Sequence, residues 1–208
     1  MTLAAHKLLS YSDYLLIEEE TQVKHEWRAG VVVAMAGGTV AHAMLGGRVF
    51  GLLFRRLDGK PCMPYNSDLK LRIPAEDVAT YPDIAVVCGE PIRDELDRNA
   101  IVNPAVLFEV LAESTEDYDG NEKFDYYQAL GTLREYVLVS QHEVRVEHYA
   151  LRGPGIWEYR RLGPGDTLRL KSVKVRLAVD EIYKGVTLEP RLKKRVRRLD
   201  PIPPEAAE

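Results

Sequence analysis

The sequence predicts a mixed α/β (α+β) fold in which helices flank a central sheet. Residues 39–57 have apolar side chains at helical spacing with arginines between them, as expected for a long amphipathic helix. Residues 84–88 and 105–111 are short, nearly continuous apolar runs, which is typical of central strands covered on both faces. At 208 residues the chain can form one domain with a substantial core, or one domain plus a tail.

Local patterns predict the other elements in chain order. Residues 12–20 begin with Ser12-Asp13, which can provide a hydroxyl or carboxylate cap, and carry acids near their start, which favours a short helix. Residues 23–28 and 31–36 are typical of an extra N-terminal hairpin that turns at Ala29-Gly30. Further on we expect a strand pair or one long strand at 62–73 and a helix at 121–130. Four more strands are expected, with a meander among them, at 135–139, 144–149, 156–162 and 173–177. A helical turn is expected at 179–183.

Composition excludes some classes of function. Hydrophobic residues make up 46% and charged residues 29%, an ordinary balance for a folded domain. The net charge is −4, so contact with DNA would need a local basic surface or a metal. No apolar run approaches the roughly 18 residues of a membrane span, and the N-terminus does not resemble a signal peptide. We therefore expect a cytoplasmic protein with no membrane partner.

Cys62 and Cys88 are not spaced like the ligands of a zinc site, and two cysteines are too few to form a disulfide framework. Each is expected to pack as a small apolar residue in a reducing compartment rather than to form a disulfide.

Two acids next to apolar runs indicate chemistry. Asp83 ends Tyr81-Pro82-Asp83 before one run, and Glu109 interrupts the other. On neighbouring strands, about 5 Å apart, such carboxylates could share a divalent cation. The structural alternatives are a strand-opening Asp83 that caps a loop and a buried ion pair of Glu109 with Arg134 or Lys70.

Four further polar residues are weaker candidates. Lys123, on the helix after the Glu109 strand, could stabilise charge on a phosphate, or could simply face solvent. Glu26 could add a third acid, or pair with a lysine across a strand. Asp68 could join the acids or lie on a solvent face. His42 could touch a phosphate or move a proton, but is more typical of a structural hydrogen bond at a helix start.

Together these segments resemble the Uma-type family of bacterial endonucleases, within the restriction-endonuclease-like, PD-(D/E)XK superfamily. The resemblance covers about residues 12–177. It depends on these motifs: Lys24-His25-Glu26 with Gly30 and Met35, His42, Asp68-Leu69-Lys70, Tyr81-Pro82-Asp83, Glu109-Val110-Leu111, Ser114-Thr115, Lys123 and Glu135-Tyr136.

The resemblance implies an αβββαβ core with a mixed central sheet, to which the hairpin and a C-terminal β-meander are added. It also implies that Asp83, Glu109 and the main-chain carbonyl of Val110 hold Mg²⁺ or Mn²⁺, with Glu26 completing the acidic cluster. The superfamily lysine usually stands two residues after the second acid, where this chain has Leu111. Lys123 is the residue that matches the displaced lysine.

A second departure from relatives is the loop Ala112-Glu113-Ser114-Thr115, which with Asp117, Asp119 and Glu122 places negative charge near the presumed phosphate path.

The predicted function is a metal-dependent endonuclease that hydrolyses phosphodiester bonds, most naturally of DNA, with a metal-activated water. Cleavage of both strands of a duplex favours a homodimer. The alternative is a nuclease-fold binding or regulatory module without catalysis, which the acidic net charge, the displaced lysine and the acidic loop favour. A glycoside hydrolase that uses the two acids is a third reading, for which the chain lacks aromatic sugar platforms.

Residues 1–189 are expected to form one domain. Residues 190–208 contain a basic block followed by a proline-rich end and are predicted to be a flexible tail. Tyr126 and Tyr127 are expected to pack their helix on the sheet rather than to stack on a base.

Overall fold

The structure is a computed structural model, and it describes residues 8–21, 23–35, 37–112 and 122–191. Its helices and strands in chain order are α1 (Tyr11–Glu20), β1 (His25–Arg28), β2 (Val31–Ala34), α2 (Val40–Leu57), β3 (Cys62–Asn66), β4 (Lys70–Ile73), a 3₁₀ turn (Pro74–Glu76), β5 (Val78–Thr80), β6 (Ile84–Cys88), β7 (Ala100–Ile101), β8 (Pro104–Leu111), α3 (Lys123–Gln128), β9 (Glu135–Ser140), β10 (Val146–Gly153), β11 (Ile156–Leu162), β12 (Thr167–Leu170), β13 (Val175–Ala178) and α4 (Val179–Tyr183).

A six-stranded mixed sheet with the order β11-β10-β9-β8-β6-β3 forms the centre of the fold. Strands β3, β6 and β8 are antiparallel neighbours, whereas β8 and β9 run parallel. A parallel pair needs a crossover connection, and α3 lies in the segment between β8 and β9. The succession α2, β3, β6, β8, α3, β9 is the predicted αβββαβ core, which is confirmed.

The N-terminal hairpin belongs to a second, five-stranded sheet with the order β2-β1-β5-β4-β7. Its turn is the predicted one, since Ala29 and Gly30 have φ angles of 42° and 96°, in the left-handed region that a tight hairpin turn requires. Strands β3 and β4, expected as a pair or as one strand, instead lie in different sheets. The chain passes from one sheet to the other between Asn66 and Lys70.

Hydrophobic cores cover both faces of the central sheet. On one face, the buried side of α2 packs with β12, β13 and α4 against a row that includes Val86, Phe108 and Val137. On the other face, α3 and strands of the second sheet pack against Ala85 and Leu107. The prediction of central strands covered on both sides is therefore confirmed for β6 and β8.

The alternation of side chains along β8 sets the direction of Glu109. Phe108 and Val110 belong to the core under α2, whereas Leu107 and Leu111 belong to the core under α3. Because neighbouring strand residues point to opposite faces, Glu109 points towards α3 and the second sheet.

The C-terminal part contains the predicted meander, in which β9, β10 and β11 are antiparallel neighbours. The break at 163–166 ends this meander, and β12 and β13 form a separate hairpin. The strands β5, β7 and β12 were not predicted. They are two to four residues long, too short for a clear alternation of side chains.

The prediction for the cysteines is wrong. Cys62 on the edge strand β3 lies directly opposite Cys88 on β6, and the two form a disulfide across the strands. Their spacing of 26 residues gives no sign of this pairing, because the β3–β6 register alone brings them together. Because the two cysteines are paired, they do not support the expectation that the protein works in a reducing compartment.

No helix in the described ranges is long and apolar enough to cross a membrane. Residues 192–208, which contain most of the predicted tail, lie outside the described residues, as do 113–121 with the predicted acidic loop. The division of the chain into one domain and a tail stays a prediction.

Candidate nuclease site

A cleft of about 940 Å³ opens between the second sheet, the start of α2 and the adjoining ends of β6 and β8. The four side chains predicted for the site, Glu26, Asp83, Glu109 and Lys123, all line it, and so does Val110. They come from β1, from the turn before β6, from β8 and from the start of α3. Folding therefore brings together groups that are up to 97 residues apart in the chain.

Asp83 precedes β6 and is tied to both neighbouring elements. Its Oδ2 accepts a hydrogen bond from the main-chain N–H of Val110 at 2.7 Å, and it lies 3.3 Å from Nε2 of His42 on α2. The main-chain N–H of Asp83 donates to Oε2 of Glu109 at 3.3 Å. Within the described chain, Oδ1 of Asp83 makes no hydrogen bond, so half of this carboxylate remains available for a ligand.

Glu109 is only 3% exposed and has several donors. Its Oε1 accepts from Nζ of Lys123 at 3.1 Å and from the hydroxyl of Tyr127 at 2.7 Å. The partners suggested from sequence, Arg134 and Lys70, are wrong. Arg134 donates to main-chain carbonyls, and Lys70 pairs with Asp97 at 2.9 Å, away from this carboxylate.

Lys123 is the first residue of α3, and its side chain is buried rather than solvent-facing. Its ammonium lies between two acids, 3.1 Å from Oε1 of Glu109 and 3.3 Å from Oε1 of Glu26. An uncompensated buried charge is costly, so these two carboxylates account for the position of the lysine. The lysine thus reaches the second acid from the helix, while Leu111 packs in the core.

Glu26 is buried on β1 and holds three donors. Thr80 Oγ1 donates to its Oε1 at 2.5 Å, and Arg28 pairs with its Oε2 at 2.5 Å. Burial by itself would raise the pKa of this carboxyl, but Lys123, Thr80 and Arg28 together lower it below its ordinary value. The expected cross-strand lysine is therefore replaced by a lysine from α3 and an arginine of the same strand, and Glu26 is held ionised.

His42 lies in the first turn of α2, which is capped by Thr39 through a hydrogen bond from the main-chain N–H of His42 at 3.1 Å. Its ring packs closely on Gly38, where a Cβ atom would lie 2.7 Å from Nδ1. The glycine leaves the space in which the imidazole reaches Asp83. The predicted structural hydrogen bond at the helix start and a place beside an acid are thus both present.

Asp68 does not join the cluster. Its side chain is 74% exposed and pairs with Lys24 at 2.6 Å, and this contact lowers the pKa of the carboxyl. It fits the solvent-facing alternative.

Three contacts of the site were not predicted. Tyr127 was expected only to pack, yet it holds Glu109; its spacing of four residues from Lys123 places both on one side of α3, which is a usable signal. Thr80 and Arg28 could not be found from sequence. The β1–β5 register pairs Trp27 with Ala79, and its continuation places Glu26 opposite Thr80.

The donor atoms at the cleft suit a hard cation. In the part of the chain that the structure describes, no three Asp, Glu, His or Cys side chains are grouped as a metal cluster. The oxygens predicted as ligands belong to residues that line the cleft: the carboxylates of Asp83 and Glu109 and the carbonyl of Val110. Since the N–H and C=O of a strand residue point to the same edge, and the N–H of Val110 reaches Asp83, its carbonyl faces that edge too. Such an all-oxygen set fits Mg²⁺ or Mn²⁺.

Fold and family agree on the class of protein. A crystal structure of a "putative nuclease belonging to DUF820" from Anabaena variabilis ATCC 29413 superposes with a TM-score of 0.67 at 17% identity, over 82% of this chain and 96% of that one. The overall fold is therefore that of this nuclease-like structure.

The Uma2 family model, described as "Putative restriction endonuclease", matches residues 11–180. Two relatives come from Synechocystis sp. (strain ATCC 27184 / PCC 6803 / Kazusa). The uncharacterized protein slr1290 is 38% identical over 178 residues, which is 86% of this chain and 93% of the relative. The uncharacterized protein sll1609 is 32% identical over 157 residues, 76% of this chain and 89% of the relative. The chain belongs to the Uma2 family, whose model carries the description "Putative restriction endonuclease", and its fold is nuclease-like.

Proposed function

We propose that the protein is a metal-dependent DNA endonuclease that hydrolyses phosphodiester bonds at the cleft. The observation that supports this most directly is the convergence of Asp83, Glu109 and Lys123 at the adjoining ends of β6 and β8. A carboxylate pair that faces one cleft, with an ammonium buried beside it, is a costly arrangement for stability alone.

The cation would be held by Asp83, Glu109 and the carbonyl of Val110. When bound, Mg²⁺ or Mn²⁺ supplies Lewis acidity and lowers the pKa of a water molecule. The protein groups orient these ligands. The N–H of Val110 and the ring of His42 fix Asp83, whereas Lys123 and Tyr127 fix Oε1 of Glu109. Preorganised ligands need no rearrangement when charge develops on the phosphate.

In this proposal Lys123 has two tasks. Its ammonium pairs with Glu26 and Glu109, and it presents positive charge at the cleft to a phosphate or to the attacking water. Glu26 assists indirectly by fixing the ammonium, since Arg28 and Thr80 already bind its own oxygens. It is therefore a positioning residue rather than a cation ligand.

The cleft has room for a nucleic acid backbone. Gly46 and Gly47 of α2 line it, and a Cβ atom at either position would meet no atom within 4 Å. Lys24 and Arg28 also line it and supply positive charge near the acids. A homodimer, which would present two such clefts to a duplex, and a cytoplasmic location stay predictions; light scattering on the purified protein tests the first.

Cleavage of supercoiled plasmid in Mn²⁺ tests the proposal. Asp83→Asn and Glu109→Gln should each lower the rate by more than about 100-fold, since even residues that only support metal ligands contribute about 10–100-fold. Asp68→Asn removes an exposed acid of the same type and should leave the rate within about threefold. Wild-type rates in either of the first two folded variants would contradict the proposed site.

One observation favours the alternative of a nuclease-fold binding module without catalysis. Both oxygens of Glu109 already accept hydrogen bonds from protein donors, so a cation must compete with them. Calorimetric titration of the purified protein with Mn²⁺ separates the two functions. Binding that is lost in Asp83→Asn supports the endonuclease, whereas no binding together with metal-independent DNA binding supports the module.

A further inference from the structure

We propose a second site on the protein, a pocket for a phosphate-type oxyanion formed by β10, β11 and the β12 hairpin. The inference does not depend on catalysis at the cleft. It starts from the charge distribution: residues 145–178 contain eight Lys and Arg but three Asp and Glu, although the whole chain has a net charge of −4. Such asymmetry marks a surface for a negatively charged partner.

Part of this positive charge converges on one small cavity of about 60 Å³. Four basic side chains line it together with His148. They are Arg152, Arg160, Arg169 and Lys171. A water molecule needs about 10–15 Å³ of such space, so the cavity admits a small polyatomic ion but not a base or a sugar.

The acids near the cavity do not neutralise it. Glu158 binds both Arg152 and Arg160, and it offsets one of these two charges. Arg169 and Lys171 form no ion pair within the described residues. Glu135 is engaged by the main-chain N–H of Lys171 at 2.8 Å and by the hydroxyl of Ser172 at 2.7 Å. Two exposed cations therefore remain for an incoming anion.

His148 provides an independent indication of a ligand. It is 4% exposed, and its buried Nε2 makes no hydrogen bond to any residue that the structure describes. The nearest acid, Oε1 of Glu135, is 3.6 Å away, beyond hydrogen-bond distance. Buried polar atoms without a partner are rare and often mark a missing water or ion, and here the residue lines a cavity rich in cations.

The cavity is separate from the cleft. His148 on β10 pairs with Val137 of β9, which lies level with Phe108 of β8, so His148 is two strands away from the strand of Glu109. Two strand spacings are about 10 Å. In addition, Tyr149 packs on the α3 side of the sheet, the side towards which Glu109 points. Neighbouring residues of a strand point to opposite faces, so His148 lies on the other face.

The oxyanion could come from a nucleic acid backbone or from free phosphate, because both present the same oxygens to arginine and lysine. The experiment uses the full chain in EDTA, without cleavage. Inorganic phosphate is titrated while the amide signals of β10–β12 are followed by NMR, and a fluorescein-labelled duplex is titrated by anisotropy at several salt concentrations.

The test variant is Arg169→Gln with Lys171→Gln, and the matched control is Arg93→Gln with Arg98→Gln, which also removes two exposed positive charges but lines neither cavity. We expect phosphate to shift amides of β10–β12 in the wild type and the control, and not in the test variant. Duplex affinity should fall at least about threefold in the test variant, and the slope of log K against log salt should fall by about 1 per lost contact.

If phosphate shifts the amide signals of β10–β12 but the duplex affinity of the test variant is unchanged, the pocket is supported and its ligand is free phosphate. The pocket would be refuted if phosphate shifted no amide signal of β10–β12 in the wild type, or if the test variant showed the same shifts as the wild type. Neither result depends on cleavage, so a failure of this site is distinguishable from a failure of the endonuclease proposal.

Discussion

Replacing Lys123 by methionine gives a quantitative test of the ion-pair cluster in the cleft. The variant keeps most of the side-chain volume and removes a charge that lies 3.1 Å from Glu109 and 3.3 Å from Glu26. Both acids are almost completely buried, so they lose a partner that solvent cannot replace. Removing one partner of a buried pair costs about 3–5 kcal/mol at neutral pH. For a chain of this size that corresponds to a fall in Tm of about 6–20 °C.

The pH dependence gives the sign of the effect. In the wild type the folded-state pKa of Glu26 is below its ordinary value of 4.5, so its ionisation stabilises the fold above that pH, and this contribution is lost as the pH falls through the folded-state pKa. Burial raises the pKa of Glu26, and the charge of Lys123 lowers it. Without the lysine the folded-state pKa is higher, so the deficit of Lys123→Met is greatest near neutral pH and shrinks towards the ordinary pKa.

Urea unfolding followed by circular dichroism, at about pH 7 and about pH 5, measures both effects. Lys184→Met is the control, because Lys184 is exposed and its ammonium forms no ion pair within the described chain. A deficit below about 1 kcal/mol at neutral pH, the size typical of an exposed pair, would refute the reasoning.

Two further perturbations have defined outcomes. Tyr127→Phe removes one hydrogen bond to the buried carboxyl group of Glu109 and should cost about 1.5–3 kcal/mol in urea unfolding, whereas Tyr126→Phe on the same helix should stay within about 0.5 kcal/mol; equal costs would contradict the assigned contact. Reduction of the Cys62–Cys88 disulfide, which closes a separation of 26 residues, should lower the unfolding free energy by about 3.5 kcal/mol on the chain-entropy account. Two reactive thiols in the unfolded, unreduced protein would show that the bond does not form.

Much of the fold was predictable because its signals are local. The spacing of apolar residues predicted α2 over 39–57, and the structure has it at Val40–Leu57 with Thr39 as its cap. The turn at Ala29-Gly30 predicted the first hairpin, since it requires left-handed backbone angles that few sequences provide. The apolar runs around β6 and β8 predicted strands covered on both faces, because burial on both sides leaves no polar face.

Features that depend on register or on long-range pairing were not predictable. The disulfide, the contact of Thr80 with Glu26 and the separation of β3 from β4 into two sheets all arise from which strands lie side by side. Strand pairing is decided by the packing of the whole core, and a short segment carries little information about its partner.

The sequence by itself determined which groups are unusual: a carboxylate at the entrance of one apolar strand, another inside a later apolar strand, and a lysine at the start of the helix that follows. These are visible because burying a charge is costly wherever it occurs. Only the tertiary structure decided what those charges meet. Lys123 lies between Glu109 and Glu26 because α3 crosses from β8 to the parallel strand β9 on the face that also carries the second sheet, and no local pattern specifies that crossing.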